Sequence, residues 1–549
     1  MPEINIPRNK TIGRLLEDNA LLRPDKEALI YPDSDIRYTW AGLNCEVDIL
    51  AKGLMALGVG PGAKVALWAS NIPRWLTMMY ATAKIGAVLV TVNTHYRKAE
   101  IDYLLKQSEA DFLVLMGSFR GYNYLKVINE LIPELEVSGE DALPSADFPH
   151  LKKIVFLGDE RHSGCTAYDE VLALGEKTPD DQFRRLTERL SPDDVINMQY
   201  TSGTTGFPKG VMLTHQNIVT NGYWIGYHQN LSDRDKICLP VPLFHCFGLV
   251  LGTMAALNHG AAMVVPDIYT PFDILVGVER ERCTAIYGVP AMFISLLEQK
   301  SFDKFDLSSL RTGIMAGSPC PVKTMREVIE RMHAEEITIC YGLTETSPVL
   351  SQTTGTDSLQ KRTETVGRIM PGVEVKIVDP ETWSELPAGE VGEVVAKGYV
   401  LMSGYYNMPE ADAEIIDENG WLHTGDLGRF DEDGYLIISG RWKDMIIRAG
   451  ENIYPKEVEE YLRHMPGVLD VQVVAVPSKL HGEEVGAFVL ADSTDTEISA
   501  KTVKAYLRPL ISGYKIPRYV QVLKEYPMTA SGKVQKFKLR EMAANQWGN

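Results

Sequence analysis

The chain is poor in cysteine, and its cysteines do not form the short spacings of metal or redox motifs. Seven cysteines are spread over 549 residues, and no CxxC motif occurs. The odd number and the wide spacing argue against a disulfide-stabilised framework and against a zinc site with cysteine ligands. This pattern is typical of a reducing compartment, so we expect a cytoplasmic protein.

Basic residues are scarce relative to acidic ones. The chain has 55 lysines and arginines against 73 aspartates and glutamates, which gives a formal net charge of −18. Proteins that bind nucleic acid normally present a basic surface, so we expect no nucleic-acid partner. A nucleotide ligand is still allowed, because one lysine-bearing loop can hold phosphates within an acidic protein.

Long uninterrupted apolar runs are absent. The most apolar stretch, 249–265, is broken by Asn258, His259 and Gly260. It therefore predicts a buried helix, a turn and a strand rather than a membrane span. The N-terminal segment lacks the apolar core of a secretory signal. We expect no integral membrane segment, whereas the sequence leaves a peripheral membrane contact and a homodimer open.

The length predicts more than one domain, and the apolar periodicity predicts an α/β fold. Short apolar strand patterns alternate with helical ones over 11–115 and again after Ser191, as in mainly parallel sheets flanked by helices. The polar segment 138–190 is interpreted as a surface excursion with one strand. From Val366 onward, short strands between turn residues predict a small antiparallel β subdomain.

The pattern changes again after residue 440. Here a helix at 455–465, strands at 468–477 and 487–491 and a helix at 499–510 predict a small α+β domain. We therefore predict an N-terminal domain, 1–440, and a C-terminal domain, 441–549, with the boundary at 441–443.

Residues 200–210, YTSGTTGFPKG, combine glycines, hydroxyl side chains and one lysine, as in an anion-binding loop. The segment is not a P-loop, because Pro208 precedes Lys209 and Gly210 follows it where the P-loop has glycine and serine or threonine. It also joins two apolar strand patterns instead of leading into a helix. These features argue against a P-loop kinase or ATPase and predict a strand–loop–strand nest of backbone amides and hydroxyls.

This loop resembles the phosphate loop of the adenylate-forming superfamily, which includes acyl-CoA synthetases, luciferases and adenylation domains of peptide synthetases. Five further segments resemble the signatures of that family in the same order: AGSPCP (316–321), YGLTETSP (341–348), GWLHTGDLG (420–428), GRWKDMIIRAGENIYPKEVE (440–459) and PMTASGKVQKFKLR (527–540). The resemblance implies an enzyme that joins a carboxylic acid to AMP, releases pyrophosphate and then transfers the acyl group to CoA. It also implies ATP and Mg²⁺ as cofactors, CoA as co-substrate and a mobile C-terminal domain.

The resemblance assigns most of the site residues to ATP. The β- and γ-phosphates are assigned to Thr201, Ser202, Gly203, Thr204, Thr205, Gly206 and Lys209. The adenine is assigned to Gly317, Ser318, Tyr341 and Gly342. Thr344 is expected to offer a hydroxyl to the α-phosphate, and Glu345 a carboxylate to Mg²⁺. Without the resemblance, Tyr341 would be interpreted as a core tyrosine and Glu345 as a helix cap.

The C-terminal signatures supply the remaining assignments. Asp426 and Arg441 are assigned to the ribose, although each alone fits an ordinary turn or surface residue. Lys533 resembles the lysine that bridges the carboxylate, the α-phosphate and the ribose oxygen in the transition state. Lys443 resembles the family's hinge residue. The loop that lines the pantetheine tunnel in this family is matched by Gly450 and Glu451.

The acid is predicted from the residues expected around the acyl group. His245, expected to follow two apolar strand residues, resembles an aromatic gate of the acyl pocket, although such a histidine is more often a core residue. The candidate wall residues are apolar: Tyr223, Trp224, Tyr227, Phe247, Tyr287, Val289, Met292 and Met315. They favour a medium- or long-chain fatty acid, with an aryl or branched acid as the alternative. The sequence of the C-terminal portion most resembles the medium-chain fatty acyl-CoA synthetase branch. A stand-alone adenylation enzyme that loads a carrier protein, and a silent binding protein, also stay open.

Overall fold

Two large sheets are built from strands that are apolar at nearly every position. The computed structural model describes residues 9–136, 145–201, 208–318, 320–448, 451–479, 481–492, 498–529 and 533–548. Backbone contacts group the chain into two units, Met1–Glu374 with Lys397–Gly420 and Val375–Ala396 with Trp421–Asn549. The predicted domain boundary at 441–443 stays a prediction.

The first sheet of the larger unit has eight strands. In spatial order they are Gly404–Tyr405, Lys209–Thr214, Val195–Thr201, Val88–Thr91, Lys64–Trp68, Phe112–Leu115, Lys153–Phe156 and Cys165–Ala167. The pairs from Val195–Thr201 to Cys165–Ala167 are parallel, and the two pairs at the other edge are antiparallel. Strands Val88–Thr91 and Phe112–Leu115 are buried along their whole length, as expected for parallel strands covered on both faces.

The second sheet of this unit has seven strands. In spatial order they are Glu336–Thr338, Thr312–Met315, Ala285–Gly288, Lys236–Cys238, Ala262–Val264, Glu27–Tyr31 and Ile36–Thr39. All neighbouring pairs are parallel except the last. A three-stranded antiparallel sheet consists of Cys340–Tyr341, Ser351–Gln352 and Arg368–Ile369, and a small hairpin of Ser118–Phe119 and Tyr122–Asn123.

Helices flank these sheets, so the predicted α/β class is confirmed. They span Ile12–Leu22, Trp40–Ala56, Pro73–Lys84, Lys98–Gln107, Tyr124–Leu131, Tyr168–Lys177, Asp180–Thr187, His215–His228, Phe247–Met254 (a π-helix), Ala255–His259, Pro271–Glu281, Pro290–Leu297, Val322–Met332, Leu359–Glu364 and Pro409–Ile415. The stretch 249–265 is a helix, a turn at Gly260 and a strand, as predicted. Within the part of the chain that the structure describes, no helix is long and apolar enough to cross a membrane.

The segment 138–190 is more ordered than predicted. Its strand Lys153–Phe156 extends the eight-stranded sheet, and the unpredicted strand Cys165–Ala167 forms the edge. Two helices follow, Tyr168–Lys177 and Asp180–Thr187. The predicted strand is thus confirmed, whereas the interpretation as a surface excursion was wrong for the edge strand Cys165–Ala167, because a polar edge strand carries little apolar signal in the sequence.

Two further sheets belong mainly to the smaller unit. The predicted β subdomain is a four-stranded sheet of Val373–Val378, Gly392–Gly398, Leu422–Phe430 and Leu436–Arg441. The other sheet has the order Glu451–Ile453, Ile446–Arg448, Gly482–Ala491 and Val468–Ser478, and Tyr519–Leu523 pairs in parallel with Gly482–Ala491. Helices Pro455–Arg463, Ala500–Leu507 and Lys536–Trp547 belong to this unit. The predicted helices and strands after residue 440 are confirmed to within a few residues at most ends, and the strand predicted at 487–491 is longer.

Candidate active site

Two antiparallel strands flank the predicted phosphate loop in the chain. Strand Val195–Thr201 pairs with Lys209–Thr214, and Thr201 is directly opposite Lys209. This confirms the strand–loop–strand context, while Ser202, Gly203, Thr204, Thr205 and Gly206 lie outside the described residues. The register places a hydroxyl and an ammonium group at the same end of the hairpin.

Lys209 is buried by its neighbours despite its charge. Its side chain is 9 % exposed, and its Nζ lies 3.7 Å from the Glu414 carboxylate and 4.9 Å from the ring centroid of Tyr405. A cation over an aromatic face is favourable, and more so when water is largely excluded. The ammonium group is thus held in a defined position near the loop.

Glu345 lies next to the hairpin. It belongs to the short helix Thr344–Thr346, and its Oε1 accepts hydrogen bonds from the Tyr405 hydroxyl at 2.9 Å and the Thr201 hydroxyl at 3.3 Å. Burial and the negative charge of Glu345 raise the pKa of Tyr405 far above its ordinary value, so the tyrosine stays a hydrogen-bond donor. Two predicted residues, Thr201 and Glu345, are therefore in contact although 144 positions separate them.

A magnesium ion fits the chemistry of this carboxylate. Both hydrogen bonds to Glu345 use Oε1, and no side chain among the described residues bonds to Oε2. Mg²⁺ is usually bound by one or two carboxylates together with substrate phosphates. No cluster of three metal-ligating side chains occurs within the described ranges, so a metal held by protein ligands alone is not supported there.

His245 does not follow a strand, because Leu243 and Phe244 lie in a turn. Its Nδ1 accepts the backbone N–H of Phe247 at 3.2 Å, which helps to begin the π-helix Phe247–Met254. The Cys246 sulfur lies 3.6 Å from the same Nδ1 and 3.8 Å from the Thr344 hydroxyl. Cys246 thus contacts both the predicted gate, His245, and Thr344, the residue predicted for the α-phosphate.

The adenine segment contains a glycine required by packing. A Cβ on Gly342 would lie 1.8 Å from the carbonyl oxygen of Pro348, so the protein's own backbone excludes any side chain here. This packing alone accounts for a glycine at position 342. Gly317 has a φ of 91°, a conformation that favours glycine, and Ser318 beside it is exposed. Tyr341 ends the strand Cys340–Tyr341.

Asp426 and Arg441 form a pair within the smaller unit. They are directly opposite each other on neighbouring strands, and Arg441 Nε lies 3.1 Å from Asp426 Oδ1. The Asp426 side chain is 7 % exposed and that of Arg441 60 %. Glu393 supports the preceding turn by accepting the Gly425 N–H at 3.0 Å and bonding to His423 Nδ1 at 2.8 Å.

The other predicted C-terminal residues that the structure describes belong to the same unit. The carbonyl of Lys533 accepts a hydrogen bond from the Thr529 N–H at 2.7 Å, and Lys533 is exposed. Lys443 lies in the short helix Trp442–Asp444, where its carbonyl accepts from Arg540 at 2.8 Å. Glu451 begins an exposed strand end, and Gly450 lies outside the described residues.

The predicted acyl wall is only partly assembled on one face. Tyr287 is fully buried, accepts a hydrogen bond from Gln229 at 2.8 Å and has its ring 6.3 Å from that of Phe247. Met315 pairs with Gly288, the residue that follows Tyr287 in the chain. It packs in a buried apolar cluster on the face of the sheet that does not carry Tyr287. Met315 therefore lies on the face of the sheet opposite to Tyr287, because successive strand residues point to opposite faces, and its place in the acyl wall stays a prediction.

Comparison with known proteins identifies the family. The model described as AMP-binding enzyme matches residues 16–406, and the model described as AMP-binding enzyme C-terminal domain matches residues 457–533. The chain belongs to the AMP-binding enzyme family. This membership confirms the predicted class, an AMP-forming acyl-CoA synthetase that uses ATP and CoA.

Members of this family resemble the chain over nearly its full length. It is 52 % identical over 534 residues to the putative acyl-CoA synthetase YngI of Bacillus subtilis strain 168, covering 97 % of each chain. It is 39 % identical to the mitochondrial medium-chain acyl-CoA ligase ACSF2 of Bos taurus, over 97 % of this chain and 87 % of the relative.

Solved structures of similar proteins share the fold. The anthranilate CoA ligase AuaEII in complex with anthranoyl-AMP has a TM-score of 0.85, with 26 % identity and 99 % coverage of both chains. ATP-bound MatB from Rhodopseudomonas palustris has a TM-score of 0.82, with 28 % identity and coverage of 97 % of this chain and 99 % of that one.

Sequence reasoning missed three residues that contact the predicted site of this AMP-binding enzyme. Tyr405 contacts Glu345 and Lys209, and Glu393 with His423 supports the turn before Asp426. Tyr405 lies in SGYYNMPE and Glu393 in GEVGEVV, where an aromatic and an acid beside strands were available signals. Their partners lie in other parts of the chain, so only the fold connects them.

Proposed function

We propose that this acyl-CoA synthetase activates a medium- or long-chain fatty acid. The observation that carries the proposal is the environment of Tyr287, whose hydroxyl is bonded by Gln229 and whose ring approaches Phe247. A buried polar group that is already paired does not call for a polar substrate group. Val289 and Phe247 are also buried and apolar, and the relative ACSF2 is named a medium-chain acyl-CoA ligase.

The residues are proposed to act mainly by position and charge. Lys209 and the loop 201–206 hold the β- and γ-phosphates, and Glu345 binds Mg²⁺, which neutralises phosphate charge when bound. Thr344 contacts the α-phosphate, and the adenine lies near Gly317, Ser318, Tyr341 and Gly342. Such pre-placed charges stabilise a reaction in which a carboxylate attacks an anionic triphosphate.

The smaller unit is proposed to serve both half-reactions. Asp426 and Arg441 hold the ribose, Lys533 stabilises the transition state of adenylation, and Gly450 and Glu451 contact the thiol arm of CoA. His245 controls access of the acyl group and the thiol. Arg441, Gly450, Glu451 and Lys533 all lie at or beyond residue 441, which supports a C-terminal domain, 441–549, that turns near Lys443 between the two reactions.

The experiment is a panel of acids assayed for AMP release in the presence of CoA. Straight-chain acids from butyrate to palmitate are compared with benzoate, isovalerate and an amino acid. We expect the highest kcat/KM for a straight-chain acid of medium or greater length. Preference for benzoate would favour an aryl acid, an alternative that the likeness to an anthranilate CoA ligase also supports.

The acyl acceptor, the cellular location and the oligomeric state are tested separately. We propose CoA rather than a carrier protein as acceptor, a cytoplasmic location and a homodimer with no more than peripheral membrane contact. All seven cysteines are free thiols, which supports a reducing compartment. Thioester formation with CoA and with a phosphopantetheinylated carrier identifies the acceptor, and cell fractionation gives the location. Sedimentation with and without vesicles measures the oligomeric state and the membrane contact.

A further inference from the structure

One tyrosine links two charged residues of the proposed ATP site. Tyr405 lies on the edge strand Gly404–Tyr405, which pairs with the phosphate-loop hairpin through Val211. The residue is 6 % exposed, so both its ring and its hydroxyl are enclosed by the larger unit. None of the motifs that identified the site contains it.

The hydroxyl of Tyr405 limits how the Glu345 carboxylate can turn. It bonds to Oε1 at 2.9 Å, whereas the Thr201 hydroxyl reaches the same oxygen at a longer 3.3 Å. A hydrogen bond to a charged acceptor is stronger than one between neutral groups. With Oε1 held in this way, Oε2 is the oxygen left for a cation.

The ring of Tyr405 contacts the second charged residue. The Lys209 ammonium group lies 4.9 Å from the ring centroid, and its only ion pair within the described residues is the 3.7 Å contact with Glu414, which is mostly exposed. The aromatic face therefore contributes to holding a cation that has little other support. Tyr405 thus contacts Lys209 through its ring and Glu345 through its hydroxyl oxygen.

We propose that Tyr405 is a positioning residue for adenylation, with its hydroxyl orienting Glu345 toward Mg²⁺ and its ring supporting Lys209 against the phosphates. The inference rests on the proposed roles of Glu345 and Lys209. It predicts two separable effects, because the hydroxyl and the ring can be removed one at a time.

The chain offers a matched control in the next residue. The Tyr406 hydroxyl donates to Glu109 at 2.6 Å, a contact of the same chemical kind that involves neither Glu345 nor Lys209. Tyr405→Phe and Tyr406→Phe therefore each remove one tyrosine–glutamate hydrogen bond. Only the first removes it from the proposed metal carboxylate.

The test measures binding of α,β-methylene-ATP by calorimetry, with and without Mg²⁺, alongside pyrophosphate exchange. Tyr405→Phe should weaken Mg²⁺-dependent binding about tenfold and leave metal-free binding unchanged. Tyr405→Leu should weaken metal-free binding as well, because Lys209 loses the ring. Tyr406→Phe should bind like the parent, and a thermal melt establishes that each variant is folded.

A double variant separates this inference from the proposed function. Glu345→Gln should itself lose most of the Mg²⁺ dependence, and adding Tyr405→Phe should then cause no further loss. Parental Mg²⁺ binding in Glu345→Gln would overturn the proposed metal role and the inference with it. An impaired Glu345→Gln beside a Tyr405→Phe that binds like the parent, or like Tyr406→Phe, would overturn the inference alone.

Discussion

The residues of the site differ in how firmly contacts with the surrounding protein hold their side chains. Glu345 is held by two hydroxyls and Asp426 by an arginine, so each carboxylate has a defined direction. Lys533, by contrast, is exposed, and within the described ranges only its backbone forms hydrogen bonds, with Thr529. Its proposed role therefore depends on the substrate rather than on contacts within the protein.

Lys533→Ala is expected to reduce adenylation by a factor of roughly one hundred or more. Removing a group that stabilises charge only in the transition state costs on the order of 3 kcal/mol. Thioester formation from supplied acyl-adenylate should stay near the parental rate. Pyrophosphate exchange and acyl-CoA release are the two measurements.

The control for Lys533 is Lys538→Ala, which removes an exposed lysine from the helix that follows. It should leave both half-reactions unchanged. Equal losses in the two half-reactions of Lys533→Ala would contradict the assignment of this residue to adenylation.

At the scale of elements, the four-stranded sheet positions Asp426 through the turn that precedes it. Glu393 holds that turn from the neighbouring strand by bonds to Gly425 and His423. Glu393→Ala should therefore raise the KM for ATP about tenfold, because the ribose-binding carboxylate loses its support. Glu393→Gln keeps an acceptor for the Gly425 N–H and should restore most of the affinity.

Glu390→Ala is the matched control for this turn, since Glu390 is exposed and lies three residues earlier on the same connection. Steady-state kinetics with ATP varied provide the measurement. A Glu393→Ala variant that lowers kcat but keeps the parental KM for ATP would speak against positioning of the ribose site.

A second prediction at this scale concerns the contact between helix Ile12–Leu22 and helix His215–His228. His215 is fully buried and its Nδ1 accepts the N–H of Ile12 at 3.2 Å. Burial lowers the pKa of His215 to about 3, against an ordinary 6.5. The unfolded chain thus binds a proton at a higher pH than the folded chain does, and the free energy of unfolding falls as the pH drops from about 6.5 toward 3.

His215→Gln keeps an acceptor for Ile12 but does not titrate. Its free energy of unfolding should therefore fall less steeply with decreasing pH than that of the parent over this window. Urea denaturation at a series of pH values measures the difference. Identical slopes in the two proteins would show that His215 does not contribute to acid sensitivity.

At the scale of the whole molecule, one question is how a single chain serves two half-reactions. Arg441 and Lys533 are assigned to ATP, and Gly450 and Glu451 to the thiol, and all four lie at or beyond residue 441. Lys443→Pro would restrict the backbone at the proposed hinge by fixing φ near −65°. If the restricted state is the adenylating one, pyrophosphate exchange should persist while acyl-CoA formation falls steeply.

Lys443→Ala is the control for the hinge, because it removes the side chain without restricting rotation. Exchange and thioester formation are measured on the same preparation of each variant. Parental acyl-CoA formation in Lys443→Pro would exclude Lys443 as the hinge.

The sequence by itself determined the fold class and the order of the motifs, because apolar periodicity and local loop chemistry depend on neighbouring residues, and the resemblance of those motifs indicated the family. The hairpin around Lys209 and the strand–helix order after residue 440 were predictable for this reason. Tertiary structure alone decided which distant residues meet. It brought Tyr405 into contact with Glu345, placed Met315 on the face of the sheet opposite to Tyr287 and packed Gly342 against the backbone of Pro348. Such contacts depend on strand register and on which face of a sheet a side chain occupies, and a shift of one residue reverses the face.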